Sequence, residues 1–361
     1  NREVEFLPKL SEISRRSATK EKLTRPELSI LLSYSKMSVE KQLINSNIAD
    51  DEYFEKYLIQ YFPPLMRTKL NHEIMTHPLK KEIIVTIIAN KLVNQLGGSL
   101  INALKKETGG ELSDIAKSHA VICELFNLDI LWQAVENLDQ TISTEIKVDM
   151  FTDLAKIMRR GISWFIKNIK SPINTLRIIE DYKDQTHRIT SLMNKLQVGE
   201  TKTKFVQKII NYQQAGISKD LATSIASLEL LISTFDIIHV AKITNSKDED
   251  VANLYFKSGD LLNIDWLRKS CELQIDDSYW NRLSIQSLKD DFYDKQRRFV
   301  TKIIKIHKNK IDLLSWINNN TQNTNIFTNF VTELKSQETI NLNMLILANK
   351  KFELFLRKIK E

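Results

Sequence analysis

The chain has 361 residues, is 42% hydrophobic and 27% charged, and carries a formal net charge of +7. This is an ordinary soluble globular composition, ample for one large or two medium domains. It shows no apolar run of bilayer length and no signal-peptide pattern. The basic residues are mostly lysine, spread evenly among Asp and Glu. A nucleic-acid stripe would be clustered, so a solvated surface is expected instead. The first residue is Asn1, so the chain is expected to be a piece or processed product of something longer.

With 8 glycines and 6 prolines, none of the latter after Pro172, strong breakers are few. Long helices follow. The expected fold is all-α, a multi-helix bundle with helical subdomains at 1–170 and 171–361. In chain order, Thr24-Arg25-Pro26-Glu27 reads as a capping box with proline in the first turn. Leu28, Leu31, Leu32 and Ser35 then trace one helical face. Pro63-Pro64 marks a loop. From His77 to Gly98 the pattern predicts a buried helix, with Pro78 in its first turn and Gly97-Gly98 ending it. A polar track, Glu82, Thr86, Asn90 and Asn94, runs along it and needs partners inside the protein.

Gly109-Gly110 marks another helix end. After the amphipathic run Phe151 to Ile166, Ser171-Pro172 reads as N-cap then first helical residue. Leu196 to Lys204 is a candidate loop. Gly216-Ile217-Ser218 closes one helix and caps the next. Ser246 to Glu249 reads as a second capping box, and Asp276-Asp277-Ser278 as another helix start. The Asn, Gln and Thr tract from Asn318 to Asn325 is expected to be an exposed connector.

Motifs for chemistry are scarce. No glycine-rich loop cradles phosphate. His72 and His77 are five apart, whereas two zinc ligands on one helix need a spacing of four. Paired carboxylates such as Asp50-Asp51 suit helix N-termini. Trp132, Trp164, Trp266, Trp280 and Trp316 fall at apolar helical positions, so a core role is expected. Cys123 and Cys271 read as two buried thiols in a reducing compartment.

Other residues carry a resemblance. Leu23 to Lys36, Tyr61-Phe62-Pro63-Pro64, His77 to Asn94 and Glu107-Thr108-Gly109 resemble ordered blocks of the large NAD-specific glutamate dehydrogenases. So does the opening Glu5-Phe6-Leu7-Pro8. Farther on, Arg159-Arg160, Phe235 to Ile238, Tyr255-Phe256 with Gly259, Asp265-Trp266-Leu267, and Leu288 to Tyr293 with Gln296-Arg297 are similar to later blocks. The resemblance is weakest from 303 to 339.

It implies that this chain is the C-terminal helical region of a cytoplasmic enzyme that oxidises glutamate to 2-oxoglutarate and ammonia with NAD. The family's catalytic lysine and dinucleotide fold lie upstream of these blocks. By that resemblance the chain holds no catalytic residue, cofactor site or metal. Its partners would be the upstream catalytic and nucleotide-binding domains and further copies of the parent, with no membrane or nucleic acid. Arg25, Glu27, Tyr34, Lys36, His77, Lys81, Asn90 and Asn94 are the candidates for structural or inter-domain contact. The alternative from the residues alone is a stand-alone basic helical module that binds an acidic partner or nucleic acid. An enzyme with an unrecognised carboxylate site would need a deep pocket with perturbed carboxylates.

Overall fold

The computed structural model describes residues 7–19, 21–196, 199–273, 278–307 and 313–359. The expected start at Asp276-Asp277 and the Glu5-Phe6 pair lie outside them. Among the described residues there are helices and no strand, so the chain is all-α. The first helices are α1 (Leu10–Ala18), α2 (Arg25–Ile44), α3 (Glu55–Tyr61), α4 (Pro64–Lys69), α5 (Asn71–Met75) and α6 (Lys80–Thr108). Next come α7 (Leu112–Leu125), α8 (Leu128–Glu136), α9 (Thr144–Asn168), α10 (Thr175–Leu196) and α11 (Gly199–Gln214). Then follow α12 (Lys219–Leu231), α13 (Thr234–Thr244), α14 (Asp248–Leu261) and α15 (Ile264–Leu273). The last are α16 (Tyr279–His307), α17 (Leu313–Asn319), α18 (Thr321–Lys335) and α19 (Leu342–Lys358).

The helices gather into two compact units. The first holds residues 1–121 and 162–178, the second 122–161 and 179–361.

In the first unit, α2 packs on α6. Its capping box forms as the sequence predicts, with the Thr24 side chain accepting from Glu27 N and Glu27 accepting from Thr24 N. Helix α6 departs from expectation in three ways. It begins at Lys80, so Pro78 lies in the preceding turn, where His77 Nδ1 accepts from Leu79 N at 3.1 Å. Gly97, at φ 73° and ψ 153°, breaks the helix where the sequence places its end, but no loop follows, and a second helical arm runs on across the kink to Gly109, the left-handed cap. The polar track is not buried. Glu82 and Asn94 are exposed, Thr86 and Asn90 half-buried, and Thr86 donates to Glu40 on α2. The buried stripe is Ile84, Val85, Ile88, Ala89, Leu92, Val93 and Leu96. By length and composition α6 could cross a membrane, which corrects the expectation of no such run.

A buried network fixes the rest of this unit. Lys117 pairs with Asp51 at 3.2 Å and donates to the Ile173 carbonyl at 3.2 Å. Asp114 accepts from Ser171 Oγ and Ile173 N. Ser171-Pro172 is a cis peptide in this loop, not a helix start. Asn174 caps instead, accepting from Arg177 N.

In the second unit, α16 is the central helix, packing against α13, α14, α15 and α19. Phe299, Trp316, Phe327, Phe352 and Phe355 form an aromatic core at its C-terminal half. Three local readings are corrected here. Residues 199–204 are already helical in α11. The Asn318–Asn325 tract is mostly helix, interrupted only at Asn320, because Thr324 and Phe327 are buried on α18. Ser246 does not cap α14, which starts after Lys247 with no side-chain cap. Gly216 (φ 90°) and Ser218, which accepts from Leu221 N, behave as predicted. Trp164 and Trp316 are buried and Trp132 and Trp266 half-buried, but Trp280 is 73% exposed. Cys123 and Cys271 are both buried and form no disulfide.

Candidate functional site

The second unit gathers its charged side chains inside. Asp236, on α13, has no exposed surface. It accepts from Arg160 of α9 at 3.0 Å and from Arg297 of α16 at 3.3 Å. Along α16, Asp290, Tyr293 and Arg297 recur at helical spacing and so present one face. Asp290 stands 3.9 Å from Arg160, and Asp294 takes the other end of Arg297 at 2.5 Å. The guanidinium groups of Arg160 and Arg268 lie 4.5 and 4.2 Å from the Tyr293 ring centroid. Arg268 donates to Asp265, one turn before it on α15, and to Gln296. Gln296 in turn donates to the Tyr255 carbonyl at 2.7 Å.

A buried guanidinium is tolerated only where carboxylates and hydrogen bonds surround it. That requirement explains why five helices converge here. Gly259 makes room, because a Cβ there would meet Asp265 Oδ1 at 2.6 Å. Burial pushes the Asp265 carboxyl above the ordinary value, and the Arg268 charge opposes that without cancelling it.

The cluster borders a cavity of about 130 Å³, lined by Arg268, Asp265, Tyr293 and Gly259 and by several lysines. Among them, Lys289 donates to Glu272, and Lys156 lies 3.5 Å from the same carboxylate. Burial pushes the Glu272 carboxyl up, but Lys289 and Lys156 outweigh that and hold it below its ordinary value. Behind them Lys208 pairs with Asp153. The perturbed carboxylates are each engaged by a cation, and the arrangement pins the helices around the cavity together. Among the described residues no three His, Cys, Asp or Glu side chains are grouped to hold a metal.

The contact candidates named from sequence all fall in the first unit, on α2, on α6 and in the turn before α6. Arg25, Lys81 and Asn94 are exposed. Glu27 closes the capping box and pairs with Arg16 at 3.0 Å. Tyr34, Lys36 and Asn90 are half-buried on α2 and α6. His77 caps the turn before α6, its ring 5.7 Å from that of Phe62. The convergent residues Arg160, Asp236, Tyr293, Gln296 and Arg297 were not proposed as a site. The signal was present as short blocks far apart in sequence, which only the fold brings together.

Those scattered blocks point the same way as the comparisons. Residues 20–353 match the family described as glutamate dehydrogenase, C-terminal. The chain belongs to that family. It is 28% identical over 307 residues to the NAD-specific glutamate dehydrogenase of Pseudomonas aeruginosa, covering 85% of this chain but 19% of that protein. It is 28% identical over 302 residues to the enzyme of the same name from Halomonas elongata, covering 83% and 18%. For the one from Mycobacterium tuberculosis the figures are 24% over 306 residues, 85% and 19%. The chain thus spans about a fifth of the length of the curated relatives it matches. Within this family region, Arg160, Asp236 and Arg297 of three of the resembling blocks meet in the buried arginine cluster.

Proposed function

We propose that this chain is the non-catalytic C-terminal helical part of an NAD-dependent glutamate dehydrogenase and acts by packing on the catalytic region of the same polypeptide. The parent reaction is the oxidative deamination of glutamate to 2-oxoglutarate and ammonia, with NAD bound elsewhere in the parent. The observation that carries this reading is the match of nearly the whole chain to the C-terminal region of enzymes about five times longer.

A surface feature supports the packing role. On α2, Leu28, Leu31 and Leu32 are 49%, 39% and 37% exposed and share one face at i, i+3, i+4 spacing. On α1, Leu10 and Ile13 are exposed as well. A run of large apolar side chains in water marks a surface that another surface covers. These leucines lie at the head of the family region.

The test measures glutamate-dependent NAD reduction by the longer polypeptide that includes the upstream region, with and without Leu28→Lys and Leu31→Lys together. The expected result is activity in the longer polypeptide, none in the 361-residue chain, and a large loss in the double variant. Activity in the 361-residue chain alone would overturn the reading. Full activity in the double variant would remove the α2 face from it.

A further inference from the structure

Charge is not spread evenly through the second unit, contrary to the expectation from composition. Residues 122–146 hold five acidic residues and no lysine or arginine. Residues 295–361 hold 13 of the 52 lysines and arginines but 5 of the 45 acidic residues, so the net charge of +7 comes from the last helices. Part of it is paired inside: Lys295 faces Asp291, Arg297 takes Asp236 and Asp294, and Arg298 pairs with Glu353 at 2.8 Å. Helix α19 is less compensated. It carries Lys350, Lys351, Arg357 and Lys358 against Glu353, and that carboxylate already serves Arg298 and Arg357. Among the described residues from 313 to 359 the other carboxylates are Glu333, matched on α18 by Lys335, and Glu338 in the loop before α19. Arg357 and Lys358 suit a helix C-terminus, but Lys350 and Lys351 sit beyond the reach of its dipole. Between these cations α19 shows Ile346, Leu347 and Leu354 to water, at 36%, 46% and 54% exposed. Leu347, Lys350, Leu354 and Lys358 recur at helical spacing and form one outer ridge.

The opposite patch is the elbow between α8 and α9. Lys147 of α9 donates to the Leu138 carbonyl at 2.9 Å, and the Trp132 and Phe151 rings lie 4.7 Å apart, which holds the two helices together. Glu136, Asp139 and Glu145 are exposed there, on the same elements as Ile130 at 66% and Val148 at 56%. Glu136 accepts from the Trp132 indole and Asp139 from Thr141 N, both uncharged donors. Lys147 faces Asp139, Asp149 accepts from the Tyr212 hydroxyl, and Lys208 is taken by Asp153. Glu124 and Asp129 have contacts of their own within the chain. Apolar side chains rimmed by charge of one sign fit a surface of the same kind with the other sign. The chain carries both halves of such a pair, and neither is covered. A nucleic-acid backbone would match the lysines but leave Leu347 and Leu354 in water.

We infer that α19 of one copy docks on the α8–α9 elbow of a second copy of this chain. Lys350, Arg357 and Lys358 meet the charge of Glu136, Asp139 and Glu145, and Leu347 and Leu354 pack against Ile130 and Val148. The two surfaces differ, so the contact is heterologous. Each copy offers one of each, and the series of contacts ends only when a ring closes. Apolar burial supplies the affinity, while the charges set the orientation and speed the encounter. Both surfaces belong to the second unit, whereas the α2 docking face belongs to the first. This inference goes beyond packing on the catalytic region and can fail without affecting it.

The test is sedimentation equilibrium of the 361-residue chain over a wide concentration range, at low and high sodium chloride, with two double variants. Lys350→Glu with Lys358→Glu turns the α19 ridge acidic like the elbow. Glu136→Lys with Glu145→Lys turns the elbow basic like α19. The parent chain should self-associate, and more weakly at high salt. Each double variant alone should associate about tenfold more weakly or worse, since like charges then meet. An equal mixture of the two should associate again, because each offers the surface that the other lacks. That recovery separates the contact from loss of fold, since two disrupted proteins would not restore each other. A monomer at every concentration, association that neither variant weakens, or no recovery in a mixture of variants with normal helix content would overturn the contact. Duplex DNA bound by the parent chain and released by Lys350→Glu with Lys358→Glu, without self-association, would assign the α19 ridge to nucleic acid instead.

Discussion

The front of α2 and the interior around α16 both carry residues that resemble the family, but they use them in opposite ways. The block from Leu23 to Lys36 is long and continuous, and among its 25–36 stretch no side chain is buried. Its recognisable features are local: a threonine cap, a proline in the first turn and a leucine stripe facing out. The blocks around Arg160, Asp236, Asp265 and Arg297 are two to six residues long, yet their charged side chains meet inside the second unit. A contiguous motif can serve one helix and its outer surface. Short motifs scattered over more than a hundred residues point to one shared interior place.

The largest expected effect lies at the centre of that interior. Asp236→Ala leaves the buried Arg160 and the half-buried Arg297 without their shared carboxylate. Breaking a buried pair by removing one partner costs ~3–5 kcal/mol. Urea unfolding of the variant should show a midpoint far below that of the parent chain, whereas Arg25→Ala on α2 should stay within about 0.5 kcal/mol. A loss below about 1 kcal/mol for Asp236→Ala would mean that the arginines find other partners, and the contrast between the regions would collapse.

Next come two glycines, one from each unit. At Gly161 a Cβ would meet Ile122 Cδ1 at 2.6 Å, Ile122 Cγ1 at 2.9 Å and a Phe235 ring carbon at 3.3 Å. Overpacking of this kind costs ~1–3 kcal/mol, so Gly161→Ala should lower the melting temperature clearly. At Gly98 the obstacle is Ser35 Oγ, 2.6 Å away, on a short side chain that donates to its own helix at Leu31 O. Rotation of that hydroxyl relieves the nearest contact but leaves Ser35 Cβ at 3.0 Å, so α2 must give slightly, against a gain of up to about 1 kcal/mol in helix propensity for alanine over glycine. Gly98→Ala should therefore be the milder change of the two in the same melting experiment. Equal losses would show the α2–α6 contact to be as tight as the interior of the second unit.

Legibility in the sequence follows the same line. The helix-forming pattern was plain, because breakers are rare and caps such as Thr24, Ser218 and Gly109 act through their nearest neighbours. What misled was any feature whose outcome depends on distant partners. Gly97-Gly98 does stop the first arm of α6, but a second arm follows at once across the kink, with its Lys105 donating to Gln42 on α2. The Asn318–Asn325 tract looked like a linker, but Thr324 and Phe327 are drawn into the aromatic core. The track from Glu82 to Asn94 looked buried because its helix is apolar nearly all round, yet it lies on the side left half-open. The arginine cluster was invisible for the same reason, since no single segment contains more than a few of its members.

A smaller effect tests the α2 end of the comparison. Thr24→Ala removes the hydroxyl that accepts from Glu27 N, a long bond at 3.5 Å. Loss of an N-cap costs about 1 kcal/mol, and a weak cap on an exposed helix end less. Amide hydrogen exchange should quicken in the first turn of α2 and leave α16 unchanged. Quickening in both would mean that the two regions unfold together.

The smallest expected effect is a slope. Glu272 holds its proton less tightly in the folded protein than in the unfolded chain, because Lys289 and Lys156 outweigh the effect of burial. Its contribution to stability is then complete above the ordinary value of 4.5 and fades as pH falls through the lower folded value. Asp265 has the opposite sign: burial raises its folded value above 3.8, so its protonation favours the fold as pH drops. Glu272→Gln should flatten the loss of stability below pH 4.5, and Asp265→Asn should steepen it, measured as urea midpoints in a series of acid buffers. The two changes act across the same cavity wall with opposite signs, so a common structural disturbance cannot imitate both. If both variants shifted the acid limb in one direction, the opposite signs assigned to the two carboxyls would be wrong.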